Sequence, residues 1–500
     1  MGTVTDKASA SGSVLRGAGF RQVLPWILVL CVTLVISRWS LTPPYLVTFD
    51  EINFALAVDH FNPAVEQPQP PGYPLFVGLL KLLSFITPHI ETVFLLTSLL
   101  MSAAALASLW WLCEQMLGSG LGVLGPLLLL FNPAFWLSSL INPARLCLAA
   151  GATAVAGLAW LAHRRDSPRW LVMAALVLGL ASGFRPTLSL LLLPLWLFCA
   201  WKTRMRPATA ALSLLCFVAA VGVWLPPLIM AVGGLQPFVN LLRIYSVDQF
   251  SRSSLLFGAR EYSALQMAWR AVVWSCLGVL SWIWLVPLVA RRLRPAFDRF
   301  TVRFLGLWFI PGLLFYATFH VGDPDHTLSI IPALCVAGAL VLAEATRGAS
   351  LAKRAGIVSA CVLLNVFLFF VPVIRTARAS TYTAVQLLQD SVIPMIDAVH
   401  RLSGGGPVTA FFYEPTVGWR QLSYHEPRIT TILLFDPHNG ITVTRRIVDR
   451  HDVLLTNPNG VVMVPSCGTL VWVDPEIRPS ANDAVPIQQT GKQVFFTPAG

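Results

Sequence analysis

Phe49-Asp50-Glu51, then Gln67-Pro68-Gln69-Pro70-Pro71-Gly72-Tyr73-Pro74: these two runs share one loop, directly after the first long apolar stretch of the chain, about 22–40. Two adjacent carboxylates follow a helix that has just crossed a membrane, and a Pro-rich turn then leads the chain back along the surface. Acidic groups at a membrane interface are costly to desolvate and mark functional sites. The plain alternative is a solvated loop in which Asp50 caps a helix starting near Ile52 and the prolines form only a rigid turn.

The membrane reading rests on composition. Hydrophobic residues make up 56% of the chain and charged residues 12%, with a mean hydropathy of +0.68. A soluble protein would carry about 25% charged residues. The net charge of +11 has a membrane explanation and does not indicate nucleic acid as a partner.

Apolar stretches of spanning length recur at about 22–40, 91–113, 119–134, 144–161, 170–184, 187–201, 208–232, 268–290, 304–319, 328–345 and 356–374, eleven in all. The shorter ones are expected to tilt little or to end in re-entrant breaks beside protein. Alternating from an inside N-terminus, the inner segments collect Lys7, Arg16 and Arg21; Arg164, Arg165 and Arg169; Lys202, Arg204 and Arg206; Arg291, Arg292, Arg294, Arg299 and Arg303; and Arg347, Lys353 and Arg354. The outer loops before the tail hold only Lys81, Arg185, Arg243, Arg252 and Arg260. That asymmetry fits the positive-inside rule and predicts an N-in, C-out topology; no asparagine starts an Asn-x-Ser/Thr sequon, which favours a bacterial inner (plasma) membrane facing a periplasm. The first apolar run is followed by Arg38-Trp39 rather than a small-residue cleavage site. Eight cysteines lie in apolar spans and read as small core residues; only Cys467 lies in the tail.

The long outer loop 41–90 is predicted to hold two helices lying in the interface, at 50–61 and 73–86. A second outer loop, 233–267, is rich in cations and aromatics, including Arg243, Tyr245, Arg252 and Arg260. Short outer turns are expected at 132–143, 183–187 and 320–327. After Arg375 the composition changes. A helix over 378–401 precedes strand-like runs at 408–413, 453–455, 461–464, 470–473 and 493–497, so the chain divides into a transmembrane domain, 1–374, and a small extracytoplasmic α/β domain, 375–500.

A first outer loop with an Asp-Glu pair and two interfacial helices, on a multispanning chain with a soluble C-terminal domain, resembles the GT-C glycosyltransferases. Within them it is similar to glycosyltransferase family 39, the protein O-mannosyltransferase and aminoarabinose-transferase group. Phe49-Asp50-Glu51, the 67–74 run and Gly183-Phe184-Arg185-Pro186 carry the resemblance, which covers spans one to seven. It implies a polytopic α-helical membrane enzyme taking a sugar from a polyprenyl-phosphate donor in the membrane lipid. The acceptor hydroxyl, on protein, lipid or glycan, would lie at the outer face.

The chemistry fits that implication. Phosphate leaves without protonation, so transfer needs chiefly a base on the acceptor hydroxyl, and one in-line displacement inverts the anomeric centre without the second carboxylate of hydrolytic glycosidases. Asp50 is the expected base and Glu51 a supporting group. Side chains of neighbouring helical residues diverge by about 100°, so both cannot point identically into the site. Gln69, Pro71 and Tyr73 would line the acceptor loop.

The leaving phosphate needs cations, and arginine suits it through its rigid donor fork. Arg185, between two apolar spans, is the first candidate, with a snorkelling interface arginine as the alternative. Arg243, Arg252 and Arg260 would form a donor-lipid clamp or a solvated loop face; Arg145 and Arg270 rank lower. The segment His320-Val321-Gly322-Asp323-Pro324-Asp325-His326 offers imidazole and carboxylate ligands at a spacing that matches no dependable zinc pattern. A turn, or a donor-site His320 without metal, is therefore expected, and no metal or other cofactor. Trp419-Arg420 and Tyr424-His425 read as an ordinary strand pair, with acceptor contact as the lesser alternative. A transporter or lipid flippase is the principal competing function. It predicts midplane charges and internal repeats, whereas the span centres here hold almost no ionisable residue and no repeat is evident.

Overall fold

In the computed structural model the described residues are 18–118, 120–255, 263–402, 406–413, 417–434, 443–448, 451–454, 469–473, 485–487 and 494–497. Their helices, in chain order, are α1 (Ala18–Trp39), α2 (Phe49–Asp59), α3 (Pro74–Ser84), α4 (Ile90–Leu117), α5 (Leu124–Leu130), α6 (Pro133–Ile141), α7 (Leu146–Arg164), α8 (Arg169–Phe184) and α9 (Thr187–Lys202). Then come α10 (Pro207–Ala231), α11 (Leu235–Ser253), α12 (Ala264–Cys276), α13 (Val286–Ala296), α14 (Arg299–Thr318), α15 (Ile331–Ala345), α16 (Leu351–Phe370), α17 (Tyr382–Leu402) and α18 (Trp419–His425).

The chain is a multi-pass membrane protein. Every apolar stretch of the sequence falls on a helix or a string of helices. By length and composition six are able to cross a bilayer, or seven if the bent pair α5–α6 is one span. Among the remaining spans, α8, α9 and α15 are shorter apolar helices. Helices are present at both positions expected in the first outer loop, as α2 and α3.

Two outer segments expected to be irregular are helical instead. The segment 132–143 contains α6, set at 57° to α5. Its Asn-Pro start is a cap rather than a turn: Asn132 Oδ1 accepts from the N–H groups of Ala134 (3.1 Å) and Phe135 (3.4 Å), and Pro133 occupies the first helical position. The break between the two helices frees the Leu130 carbonyl. Arg38, fully buried on α1, donates to it at 3.0 Å and to Ser139 Oγ on α6 at 2.8 Å, which satisfies a charge that would otherwise be expensive inside a membrane. The second correction is 233–267, where α11 follows the left-handed Gly233 and Gly234.

Small residues bring the spans together, as expected where lipid removes the hydrophobic drive between helices. A Cβ on Gly179 of α8 would lie 2.7 Å from the Phe217 carbonyl oxygen of α10. Through that gap Trp224 Nε1 donates to the Gly179 carbonyl at 3.0 Å.

The tail forms a seven-stranded sheet of order β4-β3-β2-β1-β5-β7-β6. The strands are β1 (Val408–Phe412), β2 (Thr430–Leu434), β3 (Val443–Val448), β4 (His451–Leu454), β5 (Thr469–Trp472), β6 (Val485–Ile487) and β7 (Val494–Thr497). The run 461–464 lies outside the described residues, as does Cys467. β1 is parallel to both β2 and β5, and the outer pairs are antiparallel. Parallel neighbours need a crossover, and α18 supplies it between β1 and β2. Trp419-Arg420 and Tyr424-His425 therefore sit on a helix, not on a strand pair.

Candidate active site

Thr48 starts α2. Its Oγ1 accepts from the Glu51 N–H (3.1 Å), and the Glu51 carboxylate returns to the Thr48 N–H (3.2 Å), a reciprocal capping box. Asp50 is thus not the cap. It stands in the first turn, where the helix dipole favours negative charge, and its carboxylate projects away from the cap. Glu51 is buried and held by Thr48, and burial pushes its carboxyl up to about 8.

Asp50 meets residues from a different part of the chain. Its Oδ2 accepts from Arg145 Nη2 at 3.1 Å and from Asn142 Nδ2 at 3.5 Å. Both donors belong to the short turn leading into α7, where Pro143–Arg145 form a 3-10 helix. The Asp50 side chain is 24% exposed against 7% for Arg145. No described residue donates a hydrogen bond to Asp50 Oδ1. Arg145, ranked low on sequence, is therefore central. Its Nε lies 3.9 Å from Asp325 Oδ1, so one guanidinium stands between two carboxylates, and its Nε and Nη1 have no hydrogen-bond partner among the described residues.

Arg185 caps the end of α8 and is buried. Its guanidinium stacks over the Tyr73 ring at 4.4 Å. Nε and Nη2 have no hydrogen-bond partner among the described residues, and the charges of Arg145, Asp50 and Asp325 all act on it. The Gly183 before it is required by space, because a Cβ there would lie 2.7 Å from both Leu75 of α3 and Trp224 of α10. Tyr73 sits in the left-handed region at φ 41° after Gly72 at φ 110°, a backbone strain of the kind that clusters at functional sites. Its hydroxyl donates to the Pro70 carbonyl at 3.5 Å, and Gln69 is buried with Oε1 unpartnered. The 67–74 run thus lies against Arg185, and Pro71 is part of it.

The remaining candidates divide. Burial, reinforced by Arg145, pushes His320 down to about 4, so it is a neutral imidazole at pH 7 and brings no charge to a phosphate. Arg243 is exposed on α11, Arg252 lies on α11 with a side chain outside the described part, and Arg260 lies outside the described residues. α11 brings Tyr245 into the field of Tyr73, Asp50 and Arg145, and burial raises its phenol well above the ordinary range. Asp323, Asp325 and His326 place ligand atoms within 4.8 Å of one another. A cation there would meet the Arg145 guanidinium, which already faces Asp325. Burial first, with Asp323 and Asp50 adding, raises Asp325 to about 7 against the opposing pull of Arg145 and Arg185.

Sequence reasoning missed the reach of the tail into this loop. Arg420 on α18 is completely buried. Its Nη1 donates to Asn53 Oδ1 of α2 at 2.6 Å and to the Glu66 carbonyl at 3.1 Å, and its Nη2 to the Val65 carbonyl at 2.6 Å. Gln421 donates to the Val47 carbonyl at 3.2 Å, just ahead of the cap.

Comparisons with known proteins bear on the fold that carries these residues. A family model described as the protein O-mannosyl-transferase TMEM260 N-terminal domain matches residues 64–209, which include the 67–74 run, Arg145 and Arg185. The crystal structure of ArnT from Cupriavidus metallidurans bound to undecaprenyl phosphate is similar with a TM-score of 0.62 at 13% identity, over 96% of this chain and 98% of that one. The apo state of the same protein is similar at a TM-score of 0.56, with the same identity and coverage. No curated protein sequence matches the chain. Over nearly its whole length, therefore, the chain has the GT-C membrane fold seen in ArnT.

Proposed function

We propose that this protein is a membrane glycosyltransferase that moves a hexose or pentose from a polyprenyl-phosphate donor to an acceptor hydroxyl, with inversion. The observation that carries the reading is a partly exposed carboxylate, Asp50, fixed by Arg145 beside a second buried arginine, Arg185, whose Nε and Nη2 have no hydrogen-bond partner among the described residues. In the proposed step the acceptor oxygen attacks the anomeric carbon, its proton passes to Asp50 Oδ1, and the carbon–oxygen bond to phosphate breaks. The electron pair leaves on the polyprenyl monophosphate. Arg185 holds that phosphate through two N–H groups, with Arg145 orienting the base. No metal is required by this step, since guanidinium groups supply the positive charge. The N-terminus lies inside, and Asp50, Arg185 and the tail lie at the outer face of an inner (plasma) membrane. The test is transfer by purified protein from synthetic polyprenyl-phosphate sugars in a buffer containing a chelator. Accumulation of a glycosylated acceptor supports the reading, whereas intact donor with every acceptor class, with or without divalent ions, sinks it.

Donor binding should depend on the shape of Arg185 as well as its charge. Arg185→Lys loses the paired geometry and should weaken donor affinity by about tenfold, and Arg185→Ala by more. Unchanged binding in both would leave Arg185 as an interfacial anchor.

Asp325 gives the site a pH dependence. Below its raised value of about 7 it is neutral; as pH rises through that value it ionises and cancels part of the charge of Arg145 and Arg185. A donor phosphodiester keeps one negative charge throughout, so its affinity should fall from pH 6 to pH 7.5. The fall should be on the order of tenfold, for a unit charge roughly 10 Å away at an effective dielectric of about 20. Asp325→Asn should flatten that step and leave a separate one near pH 8, where Glu51 titrates. A wild-type profile that is flat or rises between pH 6 and 7.5 contradicts the assignment.

A further inference from the structure

At the far end of α7 from Arg145, about 28 Å away along its 19 residues, a cavity of about 480 Å³ opens between the ends of α4, α7, α14 and α15. It belongs to the membrane face opposite Asp50. One part of its wall is apolar, with Met116 and Leu340, and another carries Arg164, Arg347 and Arg354. Arginines on this face are expected from topology alone and would not by themselves make a site.

Two buried groups in the same wall do. Trp160 is 7% exposed and its Nε1–H has no hydrogen-bond partner. Glu344 is 5% exposed; one carboxylate oxygen pairs with Arg347 Nη2 at 2.6 Å, and the other, Oε2, has no hydrogen-bond partner. Buried polar groups left unpaired are costly. The wall of the cavity therefore holds a buried donor and a buried acceptor that have no hydrogen-bond partner among the described residues, together with Arg164 and Arg354. Asp298, also in the wall, is already committed to capping α14, accepting from the Thr301 N–H at 2.7 Å.

We propose that this cavity binds a phosphate ester bearing a primary ammonium, as in the headgroup of an ethanolamine phospholipid. The phosphate accepts from Trp160 Nε1–H and from Arg164 and Arg354, and the ammonium donates to Glu344 Oε2. The apolar wall receives the start of an acyl chain. Basic pockets between helix ends are known to take lipid headgroups, but a purely anionic headgroup leaves Glu344 Oε2 without a donor. The same chemistry is offered by soluble phosphoethanolamine, and the test separates the two sources.

Native mass spectrometry of the full-length protein in detergent would be titrated with dioleoyl phosphatidylethanolamine, phosphatidylcholine and phosphatidylglycerol. Ethanolamine lipid should bind about tenfold more tightly than choline lipid, whose trimethylammonium has no N–H, as one charge-assisted hydrogen bond implies. Glu344→Gln should erase that preference, and Trp160→Phe should weaken both lipids alike. Displacement of the lipid by millimolar O-phosphoethanolamine would assign the site to the soluble compound, and its failure to compete would assign it to lipid. Equal binding of ethanolamine and choline lipids by the wild type, or tighter binding of phosphatidylglycerol, overturns the proposal without reference to any variant's folding.

Discussion

Asp50→Asn should lower transfer by about 10²- to 10⁴-fold, the usual contribution of a general base, while donor affinity holds or rises, because a negative charge beside Arg145 and Arg185 is removed. An amide oxygen still accepts from Arg145 and Asn142, so the side chain keeps its place, but it takes no proton from the acceptor. Arg145 retains Asp325 as a counter-charge at 3.9 Å, so the loss of one carboxylate does not strand it. Membrane insertion and thermal stability should change little. Measuring product formation and donor binding on the same preparation separates chemistry from occupancy. Transfer within tenfold of wild type would remove Asp50 from the role of base.

Arg420→Ala is expected to be nearly as damaging, although Arg420 lies in the tail and not in the candidate site. It removes a buried guanidinium and with it the hydrogen bonds to the Asn53 amide oxygen and to the carbonyls of Val65 and Glu66. The cost should be about 3 kcal/mol or more, since each hydrogen bond to a charged group contributes roughly 1.5–3 kcal/mol and the three are not additive. α2 then loses its anchor two residues after Glu51, and a displacement of about 1 Å at Asp50 is enough to reduce turnover by about 100-fold. Hydrogen exchange should show loss of protection in 49–59, with the 408–412 strand still protected. Wild-type turnover in Arg420→Ala would make the contact dispensable.

The fold was legible where hydrophobicity alone decides it. Each apolar run became a helix or a string of helices, and the loop carrying Asp50 was placed by its position after the first run. What sequence hid were partners far apart in the chain. Arg145 reads as one more arginine at the end of a span until the 3.1 Å contact with Asp50, 95 residues away, is seen. Asn132-Pro133 read as a turn because the same dipeptide serves as a helix cap and first residue. Trp419–His425 read as strand because its aromatic residues suit a sheet, while the parallel pairing that demands a crossover helix is a long-range fact. Glu51 was assigned to the site by adjacency; its place three residues after Thr48 is the sign of a capping box.

The Arg420 contact also sets an order of events during biosynthesis. Asn53 and Arg420 are 367 residues apart, so at about 5–20 residues per second the first outer loop waits roughly 20–70 s for its anchor to be made. Until then α2 and the turn at Val65 and Glu66 lack the guanidinium that joins them. We infer that the nascent chain is inactive throughout this interval and that activity switches on only when translation nears its end. An arrested chain stopped short of β1 should leave 41–90 open to protease, and equal protection in arrested and full-length chains would disprove the inference. Premature stops would then yield silent membrane proteins rather than unregulated transferases.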